Sequence, residues 1–233
     1  MSVLLLLYSC QVYTPYAYNP ILTRKKGEVN ISAGALLSTS TIGVNASSTG
    51  ALTNRMALQG NISTTSSQLR KLNLNLSYYL NPVKKYNTRI LLGYSNSKLD
   101  YYTSILVPDA DYISWSGNLK IPYTGLQITN DGKEITTGFA LKTGVIFPTL
   151  QKTIDREAET INNDISQSNL LIEPSIFTSK RFLFNAALTK TFILPLPNNS
   201  ESNQVEFPFM KFPMVNFGLS YDLVRHKNNG TKK

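Results

Sequence analysis

Apolar and polar residues alternate along most of this chain with a period of two. In the stretch from Lys71 to Tyr78, for example, one parity holds Leu and Tyr and the other holds Lys, Asn and Ser. Successive side chains of a β-strand point to opposite faces, so this period predicts strands with one apolar and one polar face. Only the polar stretch 151–165 allows a helical period instead. Ten strand segments are predicted, at about residues 27–37, 40–48, 54–64, 68–81, 86–98, 114–129, 133–148, 168–179, 181–194 and 212–225.

The connections between these segments differ in length at the two ends of the strands. Short links form one end, at residues 49–53, 81–85, 130–132 and 179–180. The other end has two short links and then three long ones, at 99–113, 149–167 and 195–211. Short turns opposite long loops, joined by strands of about ten residues, are typical of outer-membrane barrels. We therefore predict an all-β fold, a closed antiparallel up-and-down transmembrane β-barrel of ten strands, with eight strands as the alternative.

Such a barrel would turn its apolar parity outward to lipid and its polar parity inward. In lipid every backbone hydrogen bond must be made within the protein, and a closed sheet achieves this. The polar parity is rich in Asn, Ser, Thr and Gly, whereas a solvated surface would favour Lys and Glu. We expect the bacterial outer membrane, with periplasmic termini and extracellular long loops. The alternative is a lipid-tethered soluble, lipocalin-like binding barrel in which the apolar parity points inward.

A few charged residues fall on the predicted inward parity of the strands. Because a ten-stranded barrel is narrow, we expect them to form a polar network that largely plugs the lumen. The main prediction is a structural, accessory or surface-interaction role. A narrow pore or a passage for a small ligand, lined by the same residues, is the alternative. These residues are Lys71, Arg89, Lys120, Lys142 and Glu173.

The composition narrows the set of partners. Charged residues make up 16% of the 233 residues, against about 25% in soluble domains. The net charge of +9 would suit nucleic acid, but the basic residues gather at the short-turn end, where anionic head groups would attract them. No basic groove with stacking aromatics is visible in the sequence. We expect outer-membrane lipid as a partner, with a membrane protein at the periplasmic face or the outer loops, and no nucleic acid.

The sequence shows little that predicts catalysis. Outer-membrane enzymes commonly use a histidine as general base, and the single histidine here, His226, lies in a hydrophilic tail beyond the last strand. There is no glycine-rich phosphate loop and no metal-ligand cluster with recognisable spacing. We therefore expect no catalytic residues, no cofactor, no metal and no enzymatic activity.

The N-terminus has the pattern of an export signal. An apolar run from Val3 to Leu7 precedes Cys10, the only cysteine, as at the end of a secretory signal. Leu7-Tyr8-Ser9-Cys10 resembles a bacterial lipobox, in which the cysteine is acylated and becomes the mature N-terminus. An ordinary cleaved signal or an incidental thiol is the alternative, since Tyr8 is bulky and no basic residue precedes the run. The expected organisation is a signal at 1–9, an extended tether at 10–26, the barrel at 27–225 and a basic tail at 226–233.

Three stretches resemble parts of the small outer-membrane β-barrel lipoproteins of Bacteroidetes-type bacteria. SCQVYTPYAYNPILTRKKGEVNISAG, Ser9–Gly34, is similar to their lipobox, tether and first strand. LIEPSIFTSKRFLFNAALTKTF, Leu171–Phe192, looks like their penultimate hairpin, and KFPMVNFGLSYDL, Lys211–Leu223, looks like their closing strand. The region 99–167 matches only in pattern. The resemblance implies a fold and a location and assigns no activity.

Overall fold

The computed structural model describes residues 20–21, 23, 25–37, 42–66, 70–80, 86–103, 112–132, 135–156, 159–180, 184–196 and 214–223. In this part of the chain no helix is long and apolar enough to cross a membrane. The described strands match the predicted segments to within three residues at most ends, although two run past their predicted ends at 98 and 148, to residues 103 and 156, and one lies in the loop predicted at 149–167. They are β1 (Val29–Leu37), β2 (Ile42–Ala51), β3 (Met56–Thr65), β4 (Arg70–Tyr79), β5 (Tyr86–Thr103), β6 (Tyr112–Asp131), β7 (Ile135–Arg156), β8 (Glu159–Ile165), β9 (Asn169–Lys180), β10 (Phe184–Thr189), β11 (Phe192–Pro195) and β12 (Met214–Leu223).

The strands form one closed antiparallel barrel. Each strand from β1 to β7 pairs with the next along the chain, and β12 pairs with β1 and so closes the sheet. β7 pairs with β9 through its first half and with β8 through its second half. β10 and β11 both pair with β9. β8 and β9 together therefore occupy one strand position of the barrel, and β10 and β11 together occupy another. The prediction of ten strands is confirmed, and the alternative of eight is excluded.

The stretch 151–165 is strand and not helix, which corrects the helical alternative. β7 continues to Arg156, and β8 returns beside it with Leu150 opposite Ile165 and Ile154 opposite Ile161. Most described side chains of this hairpin are exposed or half-buried. Because neither face is buried, no apolar parity marks the strand period in the sequence.

The barrel wall is much taller on one side than on the other. β1 to β4 have 9 or 10 residues, whereas β5, β6 and β7 have 18, 20 and 22. About ten residues of tilted strand cross the apolar layer of a bilayer, so β5 to β7 continue well past it. We call the end where they do so the extended end, and the opposite end, which carries the turn at residues 52–55, the turn end.

The two faces of the wall have the polarity expected in lipid. On β4 the outward Leu72 and Leu74 are 49% and 50% exposed, while the inward Asn73 and Asn75 are 6% and 7% exposed. The same contrast holds on β12, where Leu219 is 72% exposed and Asn216 is 2% exposed. A soluble barrel would bury the apolar parity. The observed arrangement argues against the soluble alternative.

Candidate functional site

The centre of the barrel interior holds a buried ion pair. Lys142 on β7 and Glu173 on β9 are direct cross-strand partners, and the Lys142 Nζ lies 2.9 Å from Glu173 Oε2. The Thr191 hydroxyl donates a hydrogen bond of 3.0 Å to the other carboxylate oxygen, Oε1. Both charges are nearly inaccessible to solvent. Each charge is balanced within the interior, as buried ions require.

Tyr123 on β6 connects this ion pair to the opposite side of the lumen. The Lys142 ammonium lies 4.2 Å from the centroid of its ring, and its hydroxyl forms a hydrogen bond with the side-chain oxygen of Asn75 on β4. The Asn75 amide donates to Gln59 at 3.0 Å, and the Gln59 amide donates to Thr49 on β2 at 3.1 Å. The network therefore crosses the lumen from β9 to β2.

Two glycines make room for the Tyr123 ring. Gly93 on β5 and Gly144 on β7 stand directly opposite Tyr123 on its two sides. A methyl group on Gly93 would overlap the ring, and one on Gly144 would lie 2.7 Å from the Tyr123 Cβ. The ring can cross the lumen because its neighbours on both strands have no side chain.

A piece of the N-terminal segment lies inside the barrel. Ile21 is 2% exposed, and Gln127 on β6 binds its backbone twice. The Gln127 Oε1 accepts the Ile21 N–H at 3.3 Å, and the Gln127 amide donates to the Ile21 carbonyl at 3.2 Å. This is the pairing that a neighbouring strand would offer, supplied here by one side chain. The predicted tether is therefore more than a linker, because its residue Ile21 occupies part of the lumen.

Arg89 holds the same segment nearer the turn end. Its guanidinium donates a hydrogen bond to the Thr23 carbonyl and lies 3.4 Å from the Ser77 hydroxyl. It also lies over the Tyr79 ring, 3.5 Å from the centroid. Arg89 is 1% exposed, so it is a buried residue that holds the N-terminal segment in place and not a surface charge.

An apolar cluster fills the interior towards the extended end. It joins β5 to β9 and β11, and five of its members are completely buried. The cluster is unfavourable for water above the polar network, because the Trp115 indole N–H is the one hydrogen-bonding group among its side chains. Its members are Leu99, Trp115, Leu119, Ile121, Ile146, Leu150, Ile165, Leu171 and Ile193.

Little free space remains between these layers. The cavity beside Ile21, Tyr123, Lys142 and Glu173 has a volume of about 30 Å3, which is room for about two water molecules. A stack of apolar cluster, polar network and N-terminal segment thus fills the described interior.

Four of the five charged residues assigned to the lumen lie inside it. Lys71, Arg89, Lys142 and Glu173 are 4%, 1%, 9% and 2% exposed. Lys120 is corrected, because the structure places it exposed on the outer face of β6.

The reason for the Lys120 error is the apolar cluster. Leu119 and Ile121, the sequence neighbours of Lys120, point inward to this cluster and are completely buried. In this part of β6 the apolar side chains therefore face the interior and the polar ones face outward. Cys10 and the tail 226–233 lie outside the described residues.

Part of this interior could have been predicted from glycines within the strands. Tyr123, Gln127 and the buried Ile21 were not among the predicted site residues. The glycines opposite Tyr123 are a usable signal, since a glycine within a strand marks close approach of another group. Nothing in the sequence separates Ile21 from the rest of the segment 10–26.

A comparison with solved structures reports the same barrel. The outer membrane protease OmpT from Escherichia coli superposes with a TM-score of 0.52 and 11% sequence identity, over 88% of this chain and 97% of that one. The chain has the fold of an outer-membrane β-barrel. LpxR from Salmonella typhimurium is also similar, with a TM-score of 0.33, 8% identity, and coverage of 83% and 99%, and this weaker likeness carries no argument. The sequence matches no protein-family model and no curated protein.

The expectation that this chain is not an enzyme is corrected by this comparison. It rested on the place of the single histidine in the tail, and on a sequence without a glycine-rich phosphate loop or a metal-ligand cluster. OmpT, which shares this barrel over most of its length, is a protease, so a barrel of this architecture can carry out catalysis. At 11% identity the likeness shows the fold alone and transfers no catalytic residue. Among the described side chains, no three of His, Cys, Asp or Glu are placed to share a metal ion.

Proposed function

We propose that this protein is an integral barrel of a bacterial outer membrane that acts at the cell surface through its extended end. The filled lumen is the observation that carries the proposal. A barrel that cannot pass solutes must work through its wall or its ends, and among the described residues those of the extended end form the large surface beyond the membrane. The role is that of a surface-interaction or accessory protein, held in place by its lipid-facing wall.

The filled lumen also argues against the alternative of a narrow pore. A conducting path would have to pass the apolar cluster, the Lys142–Glu173 pair with Tyr123, and the segment at Ile21. Each of these layers is packed against side chains from several strands. Opening the path would require unpairing a buried ion pair, which costs about 3–5 kcal/mol.

Conductance in planar bilayers tests this proposal. The purified full chain should give no current steps in a bilayer in which a general porin gives them. Flotation with lipid vesicles shows that the protein has inserted, and gel mobility before and after boiling shows that it is folded. Steady current steps from the unaltered protein would replace the proposal with the pore.

Cysteine labelling on intact cells tests the orientation. Asn163 in β8 lies at the extended end and Leu52 at the turn end, and both are exposed. A membrane-impermeant maleimide should label Asn163→Cys on intact cells and Leu52→Cys only after lysis. The unaltered protein controls for labelling at Cys10. The reverse pattern would place the extended end in the periplasm.

We also propose that Cys10 is acylated, as the resemblance to barrel lipoproteins implies. The turn end, where Lys25 and Lys26 are exposed, would then face the periplasm. An extended chain covers about 3.3 Å per residue, so the residues between Cys10 and Ile21 are long enough to return from the interior to that side. Incorporation of labelled palmitate, lost in a Cys10→Ala variant, is the expected result. Equal incorporation in both would exclude acylation at this cysteine.

A further inference from the structure

Three basic side chains lie together on the outer face of the barrel near the extended end. Arg70, the first residue of β4, stands directly opposite Lys98 on β5. Lys120 on β6 stands opposite Asn96, two residues before Lys98 on the same face of β5. All four side chains are exposed. Direct partners in a sheet have Cβ atoms about 5 Å apart and diagonal ones about 7–8 Å apart, so the three cations share one patch.

This cluster is unfavourable without an anion. Like charges placed directly opposite on neighbouring strands destabilise a sheet, and the boundary of the bilayer screens them less than water does. Among the described residues no carboxylate forms an ion pair with Arg70, Lys98 or Lys120. Asp100 follows Lys98 on the same face but forms no ion pair with it. The local charge therefore remains positive.

An apolar groove begins directly below these cations. It runs over β2 to β5 with a volume of about 500 Å3 and is lined by both apolar and basic residues. Its outward Val44, Ile62 and Leu72 are 58%, 57% and 49% exposed. Arg70 is only two residues along β4 from Leu72, so the groove joins charged and apolar surfaces within one strand repeat.

We propose that Arg70, Lys98 and Lys120 bind the phosphate group of a lipid in the outer leaflet, with an acyl chain of that lipid in the groove over Val44, Ile62 and Leu72. The inference rests on the proposed orientation, which puts the extended end outside the cell. Charge complementarity selects the head group, and the exposed apolar lining of the groove selects the acyl chain.

Phosphate suits these residues better than a carboxylate does. Arg offers a planar fork of donors that matches two phosphate oxygens, and each Lys adds a point charge. A phosphate has more acceptor oxygens than a carboxylate, so it can contact cations on three strands at once. The exposed Asn96 amide between Lys98 and Lys120 adds a neutral donor.

Native mass spectrometry of the full chain in neutral detergent tests the inference. The probe is a bisphosphorylated lipid A, compared with the same lipid after removal of its phosphates and with inorganic phosphate alone. The unaltered protein should retain the phosphorylated lipid, and Arg70→Gln/Lys98→Gln/Lys120→Gln should weaken its binding about tenfold. Asp100→Asn removes the nearby negative charge and should strengthen binding. Inorganic phosphate alone should bind weakly, since it lacks the chain.

A matched variant separates this site from general charge effects. Lys25→Gln/Lys26→Gln/Arg55→Gln removes the same charge from exposed residues at the turn end and should change binding less than twofold. Equal losses in the two triple variants, or equal retention of the dephosphorylated lipid, would overturn the inference. Tight binding of inorganic phosphate would replace it with a site for a free anion. Because binding is measured in detergent, such a failure leaves the conductance and labelling tests of the proposed function untouched.

Discussion

The ring of Tyr123 lies across Gly93, its direct partner on β5, and its hydroxyl reaches Asn75 on the strand beyond. A single aromatic side chain thereby spans three strands of the barrel. The contact joins the Lys142–Glu173 pair to the amides of the opposite wall. Because Gly93 has no side chain, the Tyr123 ring can pass over it and reach Asn75.

Replacement of Gly93 by Ala should destabilise the barrel. The added methyl group would overlap the Tyr123 ring, and overpacking of this kind costs about 1–3 kcal/mol. The gain in strand propensity from Gly to Ala, about 0.5–1 kcal/mol, offsets only part of this. Urea unfolding in detergent or vesicles should show a lower midpoint.

The matched control for this change is Gly60→Ala on β3. A methyl group there meets only Leu74 Cδ2 at an ordinary 3.8 Å, so stability should be unchanged or slightly higher. If both variants lose the same stability, crowding of Tyr123 is not the cause.

Neutralising one partner of the buried ion pair should be costly. Glu173→Gln leaves the Lys142 ammonium without its carboxylate in a closed interior, and breaking a buried pair costs about 3–5 kcal/mol. The double variant Lys142→Gln/Glu173→Gln has no unpaired charge and should recover at least half of the loss. Unfolding free energies of the two single variants and the double variant measure the coupling. Additive losses would mean that the two charges do not stabilise each other.

The segment at Ile21 should depend on Gln127 for its place in the lumen. Gln127→Ala removes both hydrogen bonds to the Ile21 backbone, each worth about 1 kcal/mol. Amide hydrogen exchange at Ile21 should become about tenfold faster or more. The control is Gln59→Ala, a buried glutamine whose amide instead bonds Thr49. Unchanged exchange at Ile21 in Gln127→Ala would show that packing alone holds the segment.

The outward face should reject charge according to depth. Leu219 lies in the middle of β12 and is 72% exposed, so Leu219→Arg should destabilise the protein in lipid by about 2–4 kcal/mol. Ile42, the first residue of β2, is also exposed, and Ile42→Arg should cost about 1 kcal/mol or less. Unfolding from lipid vesicles measures both. A negligible cost at both positions would mean that this face contacts water.

Much of the fold could be predicted from the alternation of side chains alone. From Lys71 to Tyr78 on β4 and from Val215 to Leu223 on β12, one parity is apolar and the other is polar, so these strands and their faces follow from local pattern. The number and length of the predicted segments also indicated the barrel, since ten strands of about ten residues can close one without further elements. The hairpin of β7 and β8 was not predicted, because most of its described side chains are exposed or half-buried and show no apolar parity.

The tertiary structure alone decided what fills the barrel. Lys120 looked like an interior charge by its place in the sequence, yet Leu119 and Ile121 take the inward positions because the tall wall packs an apolar cluster there. Ile21 lies in a proline-rich stretch with no period, and its backbone finds a partner in the lumen side chain of Gln127.

The sequence by itself therefore determined which residues form strands and which face most of them show to lipid, since both follow from neighbours one and two positions away. Which side chains meet across the lumen, and which cations gather on the outer wall, depends on register between strands that are far apart in the chain. That register is set by closure of the whole barrel, where Lys142 meets Glu173 and Arg70 meets Lys98, and no local pattern contains it.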